Sequence, residues 1–120
     1  MGLLDIDHVN IDTPDLAATV AFYRDVLGLE ERPKPSGNPG AWMYCDDRAV
    51  VHLNVVPAPA GPVGPLNHVA FAADGFEAMQ QRLAVSGVDH RVSDRPDMGL
   101  VQIFLEDPNG IPIELSFTRG

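Results

Sequence analysis

Phe104-Leu105-Glu106-Asp107-Pro108-Asn109-Gly110-Ile111-Pro112-Ile113-Glu114-Leu115-Ser116-Phe117 reads as a strand, a tight turn and a second strand. Asp107-Pro108-Asn109-Gly110 is turn chemistry, because Pro presets φ and Asn-Gly tolerates φ > 0. Beyond the turn, Ile113, Leu115 and Phe117 alternate with Pro112, Glu114 and Ser116. A period of two puts the apolar set on one face and Glu114 mid-strand on the other. A solvated outer face would accommodate Glu114. The rest of the chain supplies a second explanation.

Working outward, the same grammar occurs earlier. Leu4 to Ile11 reads as a strand, with Val9 and Ile11 on one face and Ile6, His8 and Asn10 on the other. Thr13-Pro14-Asp15 reads as a helix start with Thr13 as N-cap. Leu16, Val20, Tyr23 and Leu27 follow at helical spacing, and Gly28 ends the helix. Arg32 to Gly40, with three prolines and two glycines, reads as a loop. Ala41 to Cys45 and Ala49 to Val56 read as strands; Trp42 and Tyr44 share one face, and His52 and Asn54 share another. Parity assigns Cys45 to packing.

Pro57 to Pro65, with four prolines, reads as a semi-stiff linker. The pattern then restarts. Leu66 to Ala72 reads as a strand carrying His68. Asp74 with Glu77 resembles a capping box, and Phe76, Met79 and Leu83 follow at helical spacing. Gly87 closes that helix. Val88 to Val92 reads as a strand, Ser93 to Gly99 as a loop and Leu100 to Leu105 as a strand, with His90 on the surface.

The two halves therefore form an internal repeat. Gly28 lies 20 residues after His8, and Gly87 lies 19 after His68. His52 lies 44 after His8, and Glu114 lies 46 after His68. Trp42 precedes His52 by 10, as Phe104 precedes Glu114 by 10. Each half reads strand, helix, strand, strand, strand. His8 with His68, and His52 with Glu114, occupy equivalent positions opposite the helix-packing faces. A single strand histidine is more often structural than a ligand. Four polar residues at pseudo-symmetric places are harder to explain as four accidents. If both halves curl around one cleft, three imidazoles and a carboxylate converge there. Such a set suits Fe, Ni, Zn, Co or Mn, and two His with one carboxylate favours non-haem Fe(II).

Composition bounds the reading. A chain of 120 residues with 45% hydrophobic content can bury a core as one domain. Its net charge of −9 argues against nucleic acid or an anionic membrane surface, which need a basic face. No apolar run approaches the ~20 residues that span a bilayer, and no signal-peptide pattern opens the chain. Cys45 is the single cysteine, so no internal disulfide is expected, in keeping with a cytoplasmic protein.

On Asp7-His8-Val9, the Phe22-to-Leu29 helix end, Asn67-His68-Val69-Ala70-Phe71, and Asp107-Pro108-Asn109-Gly110 through Glu114-Leu115, the chain resembles the vicinal oxygen chelate superfamily. That superfamily includes glyoxalases, extradiol dioxygenases, methylmalonyl-CoA epimerases and antibiotic-resistance proteins. The resemblance covers about residues 4 to 118. It implies an α+β fold: two βαβββ modules, about 4–56 and 65–118 joined by linker 57–65, forming a U-shaped mixed sheet around a divalent metal within a single domain, 1–120. It also implies a homodimer acting on a small molecule.

Three functions compete. The extradiol reading maps metal ligands onto His8, His68 and Glu114, with a catalytic His near His52. Its Tyr position holds Phe104, and Arg95, Pro96 and Asp97 stand where a further His is expected. The glyoxalase reading places His52 where Glu is typical and leaves Glu114 as a metal-bound base. The third is a metal-free binding protein of the bleomycin-resistance type. The expectation is a metal-dependent enzyme, dioxygenase-like first and glyoxalase-like second. Its expected ligands are His8, His52, His68 and Glu114, with Glu114 and His52 catalytic. Fe2+ leads among the metals, ahead of Ni2+, Zn2+, Mn2+ and Co2+. Asn10, Trp42, Tyr44, Asn54, Gln102 and Phe104 are the expected pocket, since aromatics with a few amides suit a small organic substrate.

Overall fold

The structure is a computed structural model that describes residues 5–34, 39–57 and 68–118. The chain divides into two compact units, residues 1–60 and 61–120. Each is a βαβββ module with a four-stranded mixed sheet, so the fold is α+β.

In the first unit, β1 (Val9–Thr13), α1 (Leu16–Ala21), a π-helical turn (Phe22–Val26), β2 (Glu30–Pro33), β3 (Gly40–Cys45) and β4 (Arg48–Val55) follow in order. The sheet order is β1-β4-β3-β2, with β1 parallel to β4 and the other pairs antiparallel. One parity is buried: Ile11 and Thr13 from β1, Ala41 and Met43 from β3, Val51 and Leu53 from β4. The helical segment adds Val20, Phe22, Tyr23 and Val26. Burying such side chains contributes about 1.5–3 kcal/mol each. The opposite parity carries Asn10, Trp42, His52 and Asn54, so core formation itself delivers these residues to one face. At one point the β3–β4 ladder steps from Met43–Val51 to Tyr44–Ala49, which is a β-bulge.

The second unit repeats the plan with β5 (Val69–Ala73), α2 (Phe76–Ser86), β6 (His90–Arg95), a short 3-10 turn (Pro96–Met98), β7 (Leu100–Glu106) and β8 (Pro112–Thr118). Its sheet order is β5-β8-β7-β6. Ile103, Leu105, Ile113, Leu115 and Phe117 form the buried face, with Leu83 of α2 completely covered and Phe76 edge-on to Phe117. The β7–β8 turn is tied from inside. Asp107 is buried, and its Oδ1 accepts from the backbone N–H groups of Asn109 and Ile111. Gly110 takes φ 78°.

Several local expectations are corrected. Thr13 is not the N-cap but the buried last residue of β1, its hydroxyl paired with that of Thr19. Asp15 caps α1 by accepting from the Ala18 N–H. At α2 the expected Asp74 cap is replaced by Gly75 in a left-handed conformation, without a side-chain cap. Of the expected loop Arg32 to Gly40, Arg32 and Pro33 belong instead to an edge strand, Glu30–Pro33, and Gly40 begins β3; Pro33 is tolerated because an edge needs no second set of N–H donors. Ser93 to Arg95 extends β6. Cys45 is exposed at the β3–β4 hairpin end instead of packed. The expected strand starts at Leu4 and Leu66, and the linker beyond Pro57, lie outside the described residues.

Candidate functional site

The first unit gathers three flat rings. His8 stacks on His52 with centroids 3.7 Å apart and planes 11° from parallel. Trp42 stacks on His52 at 4.1 Å and 12°. Two rings so near and so parallel to a third must cover its opposite faces, so the His52 imidazole is sandwiched. The stack follows from register: Trp42 lies opposite His52 across β3–β4, and His8 directly precedes β1, the other neighbour of β4.

The ring nitrogens are individually assigned by their partners. His8 Nδ1 lies 2.7 Å from Asp7 Oδ2, and a carboxylate can only accept, so Nδ1–H donates and Nε2 keeps its lone pair. That is the second-shell arrangement that orients and enriches a ligating imidazole. The same bond is the leading reason that the Asp7 carboxyl sits below its ordinary pKa. His52 Nε2 lies 3.1 Å from the Ala49 carbonyl at the bulge, so Nε2–H donates and Nδ1 keeps the lone pair. Burial first, and electrostatic interaction with the stacked His8 ring second, push the His52 pKa below its ordinary value; the Lys34 charge acts in the same direction.

Beside this stack runs an amide chain. Lys34 Nζ donates to Asn54 Oδ1 at 2.6 Å, and Asn54 Nδ2 donates to Asn10 Oδ1 at 2.6 Å. Tyr44 stands apart from the stack, with the Arg32 guanidinium 4.2 Å over its ring.

In the second unit, His68 Nε2 lies 3.5 Å from Glu114 Oε1. Glu114 is mid-strand in β8 with its side chain only 16% exposed, and Phe104 lies opposite it in β7. The Arg91 guanidinium covers the Phe104 ring at 4.5 Å. Gln102 lies opposite Ser116, two residues along on the same parity. His90 is exposed, as expected.

Each unit thus pairs its two expected donors, His8 with His52 and His68 with Glu114. Among the described residues, no group of three or more His, Cys, Asp or Glu stands close enough to hold a metal ion. The donor chemistry fits a borderline divalent cation: imidazole lone pairs at His8 Nε2 and His52 Nδ1, and an imidazole beside a half-buried carboxylate at His68 and Glu114. Sequence reasoning missed Asp7 as the His8 orienter, though its adjacency was the available signal. It also missed Lys34, hidden in a proline-rich segment that reads only as loop.

The paired βαβββ units and their matched polar positions define a class of protein, and the comparisons agree. The model of the Glyoxalase/Bleomycin resistance protein/Dioxygenase superfamily matches residues 5–115, and the chain belongs to that superfamily. The uncharacterized protein YaeR of Escherichia coli (strain K12) is 29% identical, over 96% of this chain and 97% of its own. A glyoxalase/dioxygenase from Nostoc punctiforme shares the fold at TM-score 0.83 and 19% identity, over 99% of this chain and 94% of its own. A lactoylglutathione lyase from Agrobacterium tumefaciens does so at TM-score 0.69 and 21% identity, over 98% and 96%. No helix among the described residues is long and apolar enough to cross a membrane.

Proposed function

We propose that the protein is a divalent-metal-dependent enzyme acting on a small oxygenated organic molecule, its two units serving as modules of one domain. The observation that supports this most directly is the state of the four donors. His8 is oriented by Asp7 with Nε2 available, His52 is oriented by Ala49 with Nδ1 available, and His68 adjoins a partly buried Glu114. A purely structural role gives no reason for the His8 and His52 nitrogens and the Glu114 carboxylate to lie on the faces away from the two cores. His8, His52, His68 and Glu114 are the residues that would hold the ion, with Fe2+ favoured by the two-His, one-carboxylate subset. When bound, the ion supplies Lewis-acid polarisation of substrate oxygen.

Dioxygenase-like chemistry is the first reading; in it His8, His68 and Glu114 hold the ion, and His52, held toward its neutral form, takes a substrate proton at Nδ1 instead of ligating. A glyoxalase-like proton transfer beside a carbonyl is the second. It is favoured by Phe104, which offers no hydroxyl opposite Glu114 and whose ring is covered by Arg91. The deciding experiment is metal analysis of protein purified without chelators, then oxygen uptake with a catechol panel and turnover of a thiohemiacetal. Iron with oxygen uptake supports the first reading, and nickel or zinc with thiohemiacetal turnover the second. Protein that takes up no divalent metal overturns both and leaves a metal-free binding protein.

A further inference from the structure

Lys34 is the only lysine of the chain. In an acidic protein a cation is normally matched to a carboxylate, and the arginines of the same unit are: Arg24 with Asp25 and Glu31, Arg32 with Glu30, Arg48 with Asp5. Lys34 instead meets a neutral amide, and among the described residues no carboxylate is within ion-pair distance of it. Its charge is therefore left uncompensated on the face that carries Trp42, His52 and Asn10.

The ammonium also fixes the direction of everything attached to it. Lys34 can only donate, so the Asn54 atom that it meets must be the oxygen. Asn54 then has only its NH2 to turn toward Asn10, and it meets the Asn10 oxygen. Asn10, which is exposed, must consequently present its own NH2 outward. The whole chain Lys34–Asn54–Asn10 offers donors and a positive charge, and its amide oxygens are already engaged. Donors alone, with one positive charge, recognise an anionic oxygen, since charge-assisted hydrogen bonds are roughly twice as strong as neutral ones.

We propose that Lys34, Asn54 and Asn10 form an oxyanion subsite beside His52, and that the substrate is a small carboxylate rather than a neutral carbonyl compound. This rests on the preceding reading only in placing the reaction next to His52; the subsite itself needs no metal. One nearby charge works against it. Asp12 shares the face and lies opposite Asn54 in the β1–β4 register, so it repels an incoming anion and limits affinity.

The test is a titration of the metal-free full-length protein with formate, lactate and benzoate, each against its neutral amide. Side-chain amide resonances of Asn10 and Asn54 and the emission of Trp42, the single tryptophan, report binding. The expected result is saturable binding of the carboxylates but not of the amides. Lys34→Met should weaken it by at least about tenfold, and Asp12→Asn should strengthen it. Divalent-metal affinity, measured separately, should not fall in Lys34→Met, because losing a positive charge that acts on His52 favours a cation. Carboxylates that bind Lys34→Met as well as wild type, or bind neither, overturn the subsite. A protein that binds carboxylates through Lys34 yet takes up no metal keeps the subsite and refutes the metal-enzyme reading instead.

Discussion

His52 has little freedom left. Trp42 covers one ring face, His8 covers the other, and the Ala49 carbonyl holds Nε2–H. Only Nδ1 remains for chemistry, and it can serve either as a metal ligand or as a proton acceptor. The repeat places His52 where Glu114 stands in the second unit, so the ligand role is the expected one. His68→Ala and Glu114→Ala should lose metal, and His52→Ala should weaken it by more than the roughly 10–100-fold of a second-shell loss. Metal titration checks all three. A His52→Ala protein that keeps wild-type affinity and loses about 10²–10⁴ in turnover would reassign His52 to acid–base catalysis. The pKa of His52 adds a test that needs no substrate. It is lowered in the fold, chiefly by burial, so the unfolded chain takes up the proton first as pH falls. The stability contributed by the neutral ring is present above the unfolded value of about 6.5 and is lost as pH falls toward the folded one. His52→Gln should flatten the urea midpoint against pH in that window. The positions of His8, His52, His68 and Glu114 were legible because strand parity and the repeat both reach them. What their nitrogens face was not, since it depends on a bulge and a neighbouring carboxylate that no period encodes.

At the scale of elements, two small groups hold the strands in register. A Cβ on Gly40 would run into the Leu53 carbonyl, which is backbone and cannot yield without moving β4. Gly40→Ala should therefore cost about 1–3 kcal/mol, read as a lower denaturation midpoint, and should disturb Asn54, its register partner. Asp107 does the equivalent work in the β7–β8 turn with a single oxygen, Oδ1, that accepts two N–H groups. Hydrogen bonds to a charged group are worth about 1.5–3 kcal/mol each. Asp107→Ala should lower stability by at least about 2 kcal/mol and Asp107→Asn by less, because the amide retains that oxygen; thermal melts of the two variants decide it. The turn was readable from Asp-Pro-Asn-Gly, as were the hydrophobic alternations that make β3, β4, β7 and β8. The failures share a cause: they sit where tertiary contact outweighs local signal. Thr13 looks like a cap but is drawn under the helix by Thr19. Glu30–Pro33 has no apolar alternation because an edge strand buries little, and it is held by its ladder to β3.

For the whole molecule, each unit ends its sheet in two edge strands, β1 and β2 in the first and β5 and β6 in the second. Such edges invite pairing unless charge or proline blunts them. β2 is blunted, with Glu30, Glu31, Arg32 and Pro33, and β6 carries Arg91, Asp94 and Arg95. β1 and β5 are not blunted in the same way: Val69-Ala70-Phe71-Ala72-Ala73 holds no charged residue, and β1 holds only Asp12. Within each unit taken by itself, the edge formed by its first strand is the unblunted one, and the edge formed by its second strand is the blunted one. We expect a two-fold homodimer, in which a self-complementary interface buries the same surface on both copies. Sedimentation or light scattering at micromolar concentration should give twice the monomer mass. Ala70→Lys, on the exposed parity of β5, should shift the protein toward monomer without unfolding it, because a charge at an edge opposes association rather than the core. A monomeric wild type at that concentration would refute the dimer. A dimer that survives Ala70→Lys would move the interface away from β5.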